Sequence, residues 1–340
     1  MENMEFCGSR YLLESTGDRT DRTAEIEEML KTYGACVLGA GEFTVSGIQM
    51  PDHTTLMGHG TATRLYLDPS LSEGFAVQIN SYCTVKDMAI YGAYEDIPAP
   101  AEVGGRHGLL FAGTATPKDY KDTCRRNSII SGCLIRYFSG GGLTCVDTGY
   151  LIYASLTATN CHILNCGAGI HISRFSEYHE FTNMLCDSNL YGCINNGGNN
   201  VFCNCGFNDN ETGFLMNNSE NQSPNNSHGS VVGCTFNHNG NNKGIGIQAL
   251  GCQHGYVFTG CQMFYSGIVL EDSVAMLFNS FNFGRNMEIS VKGGKLTVFS
   301  DCVFHSAPAS VTIEDNDLVK FVHCYTRDGE AVGEDVSGHE

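Results

Sequence analysis

Acidic and histidine side chains are concentrated between residues 174 and 243. Two carboxyl groups that flank a glycosidic oxygen can cleave the bond, one as the acid that protonates the leaving oxygen and the other as base or nucleophile. Asp209 and Glu220 form the predicted catalytic pair, because Asp209 lies near a strand end and Glu220 lies in the loop that leaves the same segment. This chemistry requires no metal or other cofactor.

The segments around this pair carry further groups that hydrogen-bond or stack on a sugar. The alternative is a solvated polar face or an asparagine ladder that performs no chemistry. The residues predicted to bind substrate are Glu211, His238, Tyr265, Arg174, Glu177, His179, Glu180, His228 and Lys243.

A repeat in the sequence indicates what positions these groups. A small residue, most often cysteine, precedes an apolar-x-apolar strand every 19 to 29 residues from Cys133 onward. Such a period is typical of one supersecondary unit per repeat, whose apolar face is buried only by stacking. Stacking places Asp209, His238 and Tyr265 on adjacent coils and predicts a ladder of inward-facing thiols. The aligned residues are Cys133, Cys161, Cys186, Cys205, Cys234, Cys261, Ser280, Cys302 and Cys324.

The whole chain, residues 1–340, is predicted to be one domain. An amphipathic helix over residues 20–33 lies within a cap region, residues 16–34, and covers the open edge of the first coil. Residues 94–126 interrupt the period and predict a lateral loop. Residues 327–340 form an acidic, apolar-poor tail that is expected to be frayed.

The order of helix, short strand, GAGEF, strand and TTLMGHG over residues 16–92 resembles the N-terminal segment of the pectate-lyase-like superfamily. That resemblance implies an all-β fold, a right-handed parallel β-helix (solenoid) with an N-terminal capping α-helix. It says little about the reaction.

A second, weaker resemblance covers residues 200–239, which are similar to the inulin fructotransferase and difructose-anhydride hydrolase group. It implies that Asp209 and Glu220 cleave a fructosyl linkage by intramolecular transfer or hydrolysis. It also implies a homotrimer with sites between subunits.

Charge and cysteine content limit the partners. The net charge of −18, from 19 basic and 37 acidic residues, argues against nucleic-acid binding and favours a neutral oligosaccharide or polysaccharide. The 17 cysteines with no visible signal peptide indicate reduced thiols and a cytoplasmic protein. No apolar run is long enough to cross a membrane, so no membrane partner is expected.

The leading hypothesis is a cytoplasmic carbohydrate-active enzyme that cleaves glycosidic bonds of a neutral glycan with two carboxyl groups. One alternative is a tailspike-like β-helix that binds or depolymerises a glycan. Another is a polysaccharide lyase in which His238 or Lys243 is the base.

Overall fold

The computed structural model of the protein describes residues 10–112, 128–146, 152–153, 155–174, 176–218, 227–285, 287–305, 310–314 and 318–333. In these residues the strands stack as a solenoid whose ladders are parallel. Each complete coil runs through three sheets, and the coil of residues 229–250 pairs in the second sheet through a single bridge residue, Thr235. The predicted parallel β-helix is therefore confirmed.

The strands of each sheet follow one another along the solenoid axis. The first sheet contains β1 (Leu12–Leu13), β2 (Ala35–Leu38), the first parts of β5 (Thr55–Leu67) and β7 (Thr84–Tyr91), β9 (Ser128–Ser131), β13 (Leu156–Thr159), β17 (Glu180–Thr182), β20 (Asn200–Cys203), β23 (Gly229–Val232), β25 (Tyr256–Thr259), β28 (Val274–Asn279), β31 (Lys295–Ser300) and β34 (Val319–Val322). The second contains β3 (Gly41–Val45), the second parts of β5 and β7, β10 (Leu134–Arg136), β14 (His162–Leu164), β18 (Leu185–Asp187), β21 (Gly206–Asn208), β26 (Gln262–Met263), β29 (Asn282–Phe283), β32 (Val303–Phe304) and β35 (Tyr325–Thr326). The third contains β4 (Ile48–Gln49), β6 (Gly74–Ile79), β8 (Arg106–Phe111), β11 (Gly141–Cys145), β15 (Ala168–Ile172), β19 (Tyr191–Asn195), β22 (Thr212–Asn217), β24 (Ile245–Leu250), β27 (Gly267–Glu271), β30 (Glu288–Lys292) and β33 (Ser310–Glu314).

Three corners join the sheets. The first corner leads from the first sheet to the second, the second corner from the second sheet to the third, and the third corner from the third sheet to the next coil. A separate pair of short strands, β12 (Ile152–Tyr153) and β16 (Ser176–Glu177), lies at the third corner.

The core is the inside of the solenoid, filled by every second residue of each strand. Inward phenylalanines stack on their equivalents in neighbouring coils, as Phe258 does on Phe278 at 5.1 Å and Phe278 on Phe299 at 4.8 Å between ring centroids. These distances match the spacing of adjacent strands, so each ring packs on the next along the axis.

The predicted thiol ladder forms at the first corner, with two errors in the alignment. Met184 occupies the ladder position that was assigned to Cys186, and Phe281, not Ser280, fills the inward position of its coil. Any apolar side chain fills this position, so cysteine alone does not mark it. Every cysteine in the described ranges is a free thiol, and all except Cys203 are buried.

A ladder of buried asparagines runs beneath the second corner. Asn189 Oδ1 accepts the Cys166 N–H at 2.9 Å, Asn210 Oδ1 accepts the Asn189 N–H at 3.0 Å, and Asn239 Oδ1 accepts the Asn210 N–H at 2.9 Å. Each side-chain amide also donates to a backbone carbonyl, as Asn210 Nδ2 does to Cys186 O at 2.9 Å. The ladder pairs polar groups that would otherwise be buried without partners.

The cap helix is α1 (Thr23–Tyr33), which begins three residues later than predicted. Asp21 Oδ1 accepts the Thr23 N–H at 2.8 Å, and Gly34 ends the helix with a left-handed φ of 73°. Ile26 and Leu30 are fully buried against the first coil, as expected, whereas Tyr33 is half exposed.

The described parts of the predicted lateral loop and of the predicted tail include ordered structure. Within 94–126 the chain forms β8, a regular strand of the third sheet, so the described loop ends before Arg106; residues 113–127 lie outside the described part. In the tail, Val332 N donates to Cys324 O at 2.9 Å, so residues 327–333 fold back onto the last coil. Residues 334–340 lie outside the described ranges.

Two features are absent from the described residues. No helix there has the length and apolarity to span a bilayer. No three His, Cys, Asp or Glu side chains in that part of the chain are grouped to hold a metal ion.

Candidate functional site

The second corner places one residue of each central coil in the left-handed region of backbone space. Asp209 and His238, two members of the predicted column, lie on adjacent coils there, since Asp209 N donates to Asn237 O at 2.9 Å and His238 N to Phe264 O at 2.9 Å. The structure thus brings Asp209, His238 and Tyr265 into line, about 4.8 Å apart along the axis. The aligned positive-φ residues, one in each coil, are Tyr137, Asn165, Ser188, Asp209, His238 and Tyr265, and the turn after His238 adds Gly240, Asn241 and Asn242.

An open depression of about 530 Å³ lies at this corner and holds two carboxyl groups. Asp209 and Glu211 both line it and are both exposed, while Asn210 between them points into the core. The same depression is lined by Asn165 and Ser188 from the two preceding coils. Two exposed carboxyl groups beside amide and hydroxyl groups form a site that can hydrogen-bond a polyol.

The outer wall of the depression is residues 98–101, from the loop between β7 and β8. Two tyrosines fix this loop to the coils: Tyr94 OH and Thr44 Oγ1 are 2.8 Å apart, and Tyr137 OH donates to Asp96. Burial, followed by the bond to Asp96, raises the pKa of Tyr137 to about 12, so the hydroxyl keeps its proton and donates. Hydrogen bonds from Thr44 and Tyr137 of the coils therefore hold the loop that forms this wall in place.

A second cavity, of about 880 Å³, lies further along the same corner. His238 and Tyr265 stack in its wall, with ring centroids 5.2 Å apart and an interplanar angle of 21°. His238 Nδ1 lies 2.6 Å from Asn242 Oδ1, which fixes the imidazole orientation. Lys243 and Glu288 also line this cavity.

A tight turn, α2 (Asn239–Asn242), separates the depression from the cavity. Gly240 and Asn241 have left-handed φ of 54° each, so this segment is a left-handed turn more than a helix. Gly and Asn adopt this conformation at least cost, which explains the sequence Asn-Gly-Asn-Asn. A Cβ built on Gly240 would lie 4.0 Å from Glu211 Oε1, so the turn borders the carboxyl groups closely.

At the third corner the structure buries two of the predicted binding residues. His179 is fully buried: its Nδ1 accepts the Leu156 N–H at 3.2 Å, and its Nε2 lies 2.8 Å from Ser176 Oγ. Burial lowers the pKa of His179 to about 3, so the ring is neutral. Glu177 is only 2% exposed and accepts a hydrogen bond from Asn199 Nδ2 at 3.2 Å. Both side chains are buried and hydrogen-bonded within the chain, so the prediction that they contact substrate is corrected to a structural role.

The other predicted groups near this corner are dispersed. Arg174 is exposed in the turn after β15, and Glu180 is exposed on the outer face of the first sheet. His228 is half-buried and packs edge-on against His254, with centroids 5.6 Å apart. None of the three lines the depression or the cavity of the second corner.

Glu220 lies outside the described residues, so its pairing with Asp209 stays a prediction. Asp209 precedes β22, whereas Asn218, the last described residue before Glu220, follows it. The six residues of β22 span about 20 Å. The groups predicted for one site are therefore divided between two corners, with Asp209, Glu211, His238, Lys243 and Tyr265 at the second.

Sequence reasoning missed Glu288 and the wall at 98–101. Glu288 begins β30, and it reaches the cavity because its coil lies one step beyond that of Tyr265. The column of Tyr265 continues at Arg285, whose carbonyl accepts the Tyr265 N–H, and Glu288 is level with Gly267, so stacking alone did not indicate it. Nothing in the sequence indicated which corner the 98–101 wall covers.

No protein-family model matches the chain, and no curated protein matches it. Among solved structures, the chain is similar to the A-module of the Azotobacter vinelandii mannuronan C-5 epimerase AlgE6, with a TM-score of 0.56, 13% identity and 93% coverage of each chain. A tailspike mutant of E. coli bacteriophage HK620, in complex with a hexasaccharide, has a TM-score of 0.57 and 11% identity over 95% of this chain and 64% of its own.

The tailspike protein gp49 of Acinetobacter baumannii bacteriophage Fri1, a capsular polysaccharide depolymerase, has a TM-score of 0.55 and 9% identity over 95% of this chain and 62% of its own. The chain thus spans less than two thirds of both tailspikes. At these identities the similarity concerns the fold. The chain has the right-handed parallel β-helix fold, in agreement with the pectate-lyase-like resemblance of its N-terminal segment.

Proposed function

We propose that the chain is a carbohydrate-active enzyme that cleaves glycosidic bonds of a neutral glycan at the second corner. The observation that carries the proposal is the pair of exposed carboxyl groups, Asp209 and Glu211, in one open depression. The names of the structural neighbours, an epimerase of mannuronan, a polysaccharide depolymerase and a hexasaccharide complex, support the carbohydrate-active part of the proposal, and the neutral substrate and the cleavage reaction rest on the charge and the carboxyl groups of this chain.

The proposed reaction is hydrolysis by two carboxyl groups. One of them, protonated, gives its proton to the leaving glycosidic oxygen, while the other, ionised, takes a proton from the attacking water. Asp209 is one member. Glu211 is the second member on the described geometry, and Glu220 is the second member on the sequence prediction.

The test measures turnover of neutral oligosaccharides, fructans among them, with products identified by mass. Asp209→Asn and Glu211→Gln are expected to lower kcat/KM on the order of 100- to 10,000-fold, the usual contribution of general acid or base catalysis. Asp301→Asn is the matched control. Asp301 is also an aspartate, its φ of 54° is close to the 55° of Asp209, and it is exposed at the first corner.

Three results decide the assignment. Full activity of both Asp209→Asn and Glu211→Gln rejects the site. A loss in Glu220→Gln with none in Glu211→Gln favours the pair predicted from sequence. Binding without turnover by the unaltered protein favours the tailspike-like alternative.

A second candidate reaction is β-elimination, because His238 and Lys243 line the same cavity and either can serve as base. Elimination from a uronate yields an unsaturated sugar that absorbs ultraviolet light. Appearance of that absorbance with an acidic polysaccharide, and its loss in Lys243→Ala, would favour the lyase.

The cytoplasmic location, the homotrimer and the fructan specificity expected from sequence belong to the same proposal. Light scattering after size-exclusion chromatography tests the trimer. A monomer would remove the expectation that sites lie between subunits.

A further inference from the structure

The cavity beyond the turn α2 is built differently from the carboxyl depression. Among its described lining residues, Glu288 carries the single carboxyl group. The rest of that lining includes two stacked rings, one amine and apolar residues such as Ile268. Two exposed carboxyl groups serve bond cleavage, whereas rings and single polar groups serve binding. The two spaces are therefore suited to different parts of one ligand.

The rings of this cavity are held in an unfavourable backbone conformation. His238 has φ of 59° and Tyr265 φ of 55°, and a bulky residue in this region costs about 1–2 kcal/mol relative to glycine. The first corner uses Gly233 and Gly260 at the equivalent places but also His323, with φ of 49°, and at the third corner His53 and Tyr82 stack with φ of 62° and 57°. Left-handed aromatic residues thus recur along the solenoid, and the strain at His238 and Tyr265 supports a function only together with the cavity that they line.

The charges of the cavity favour an uncharged ligand. Lys243 and Glu288 are both exposed, and neither has an ion-pair partner within 4.0 Å in the described residues. An ammonium group only donates hydrogen bonds and a carboxylate only accepts them. Sugar hydroxyls do both, so one sugar unit satisfies the two groups together. The carboxylate of a uronate would pair with Lys243 but would be repelled by Glu288 and by the net charge of −18.

We propose that this cavity is a binding subsite for a neutral sugar unit, separate from the carboxyl groups that cleave. Tyr265 contacts the sugar with its ring edge and the face turned away from His238, because His238 covers the other face. Lys243 and Glu288 hydrogen-bond the hydroxyls. The inference rests on the proposed function in one respect, because it assumes that the cavity and the depression bind the same glycan.

The test measures binding by calorimetry, in the Asp209→Asn background that slows turnover. The neutral probes are maltohexaose, cellohexaose and an inulin hexasaccharide, and hexagalacturonate is the acidic probe of equal length. At least one neutral probe is expected to bind, and hexagalacturonate at least tenfold more weakly. Tyr265→Asn, which keeps a residue tolerant of left-handed φ, and Lys243→Ala are each expected to raise Kd about tenfold, equivalent to about 1.4 kcal/mol.

The matched controls are Tyr325→Ala and Lys295→Ala, which remove the same residue types at exposed positions away from the second corner and are expected to leave Kd unchanged. Binding of no neutral probe, tighter binding of hexagalacturonate, or unchanged Kd in both cavity variants overturns the subsite.

The two proposals fail separately. If Asp209→Asn keeps full turnover while Tyr265→Asn and Lys243→Ala lose binding, the cleavage site is wrong and the subsite stands. If Asp209→Asn abolishes turnover while the cavity variants keep the unaltered Kd and KM, the subsite is wrong and the cleavage site stands.

Discussion

The second and third corners both received polar residues predicted to act on substrate, and they use them in opposite ways. The second corner exposes Asp209, Glu211 and His238 around two open spaces. The third corner buries Glu177 and His179 and satisfies them with hydrogen bonds from the chain. Polar residue type does not distinguish the two, because the direction of each side chain relative to the coil decides its role.

The contrast extends to adjacent residues within the second corner. Asp209 points to solvent, and Asn210, the next residue, belongs to the buried asparagine ladder. This corner thus has an outer layer of exposed side chains such as Asp209 and an inner layer, the asparagine ladder. The inner layer satisfies the buried backbone N–H and C=O groups, so the outer side chains are free for chemistry. Three predictions test this division, beginning with the largest expected effect.

The buried imidazole of the third corner predicts acid sensitivity. Burial lowers the pKa of His179 to about 3 from its ordinary value of 6.5, so below pH 6.5 the unfolded chain takes up a proton that the folded chain does not. The unfolding free energy therefore falls as pH falls, by about 1.4 kcal/mol per pH unit and about 5 kcal/mol over the whole interval from 6.5 to 3. Burial also lowers the pKa of His171 to about 4 and lowers the pKa of His107, so both histidines add to the slope.

Urea unfolding at pH 7, 6 and 5 measures this slope. His179→Asn keeps an acceptor for the Leu156 N–H, loses the titrating ring, and is expected to lower the slope by the His179 share of about 1.4 kcal/mol per pH unit. Ser176→Ala is the control, because it removes the hydroxyl beside His179 Nε2 but retains the imidazole and hence the slope. If the slope is unchanged in His179→Asn, His179 does not contribute to the pH dependence of the unfolding free energy.

The inner layer of the second corner is expected to matter more for stability than the outer layer. Asn210→Ala leaves the Asn189 N–H and the Cys186 carbonyl without their bonds, and it should lower the unfolding free energy by about 3 kcal/mol. Asp209→Ala removes an exposed side chain and should cost less than about 1 kcal/mol. Urea unfolding of the two variants at pH 7 compares the layers directly, and equal losses would contradict the division.

The sequence carried enough information for the fold and for half of the site. The recurrence of small residues before short strands predicted stacked coils, and stacking correctly aligned Asp209, His238 and Tyr265. The alignment slipped at Cys186 because Met184 fills the same inward position, and apolar residues are interchangeable there.

The division between corners was harder to predict, because it depends on strand lengths and side-chain direction. One signal was present: His179 and Phe181 are two residues apart, and period-two alternation would have placed the imidazole inward with the buried phenylalanine. The distance from Asp209 to Asn218, by contrast, required knowing that β22 runs between them.

The last prediction concerns the backbone that the first and second corners share. Gly260 at the first corner has φ of 64°, close to the 59° of His238, and a Cβ built on Gly260 would meet no atom within 4 Å. Gly260→His therefore measures the cost of that side chain in this conformation without any new contact, and we expect a loss of about 1 kcal/mol. Gly260→Asn is the control and should cost a few tenths of a kcal/mol, since Asn204 stands at the equivalent position two coils earlier with φ of 54°. If Gly260→His unfolds at the same urea concentration as the unaltered protein, the conformation is not strained. His238 and Tyr265 then need no functional reason to occupy it, and the subsite would rest on the cavity and its charges alone.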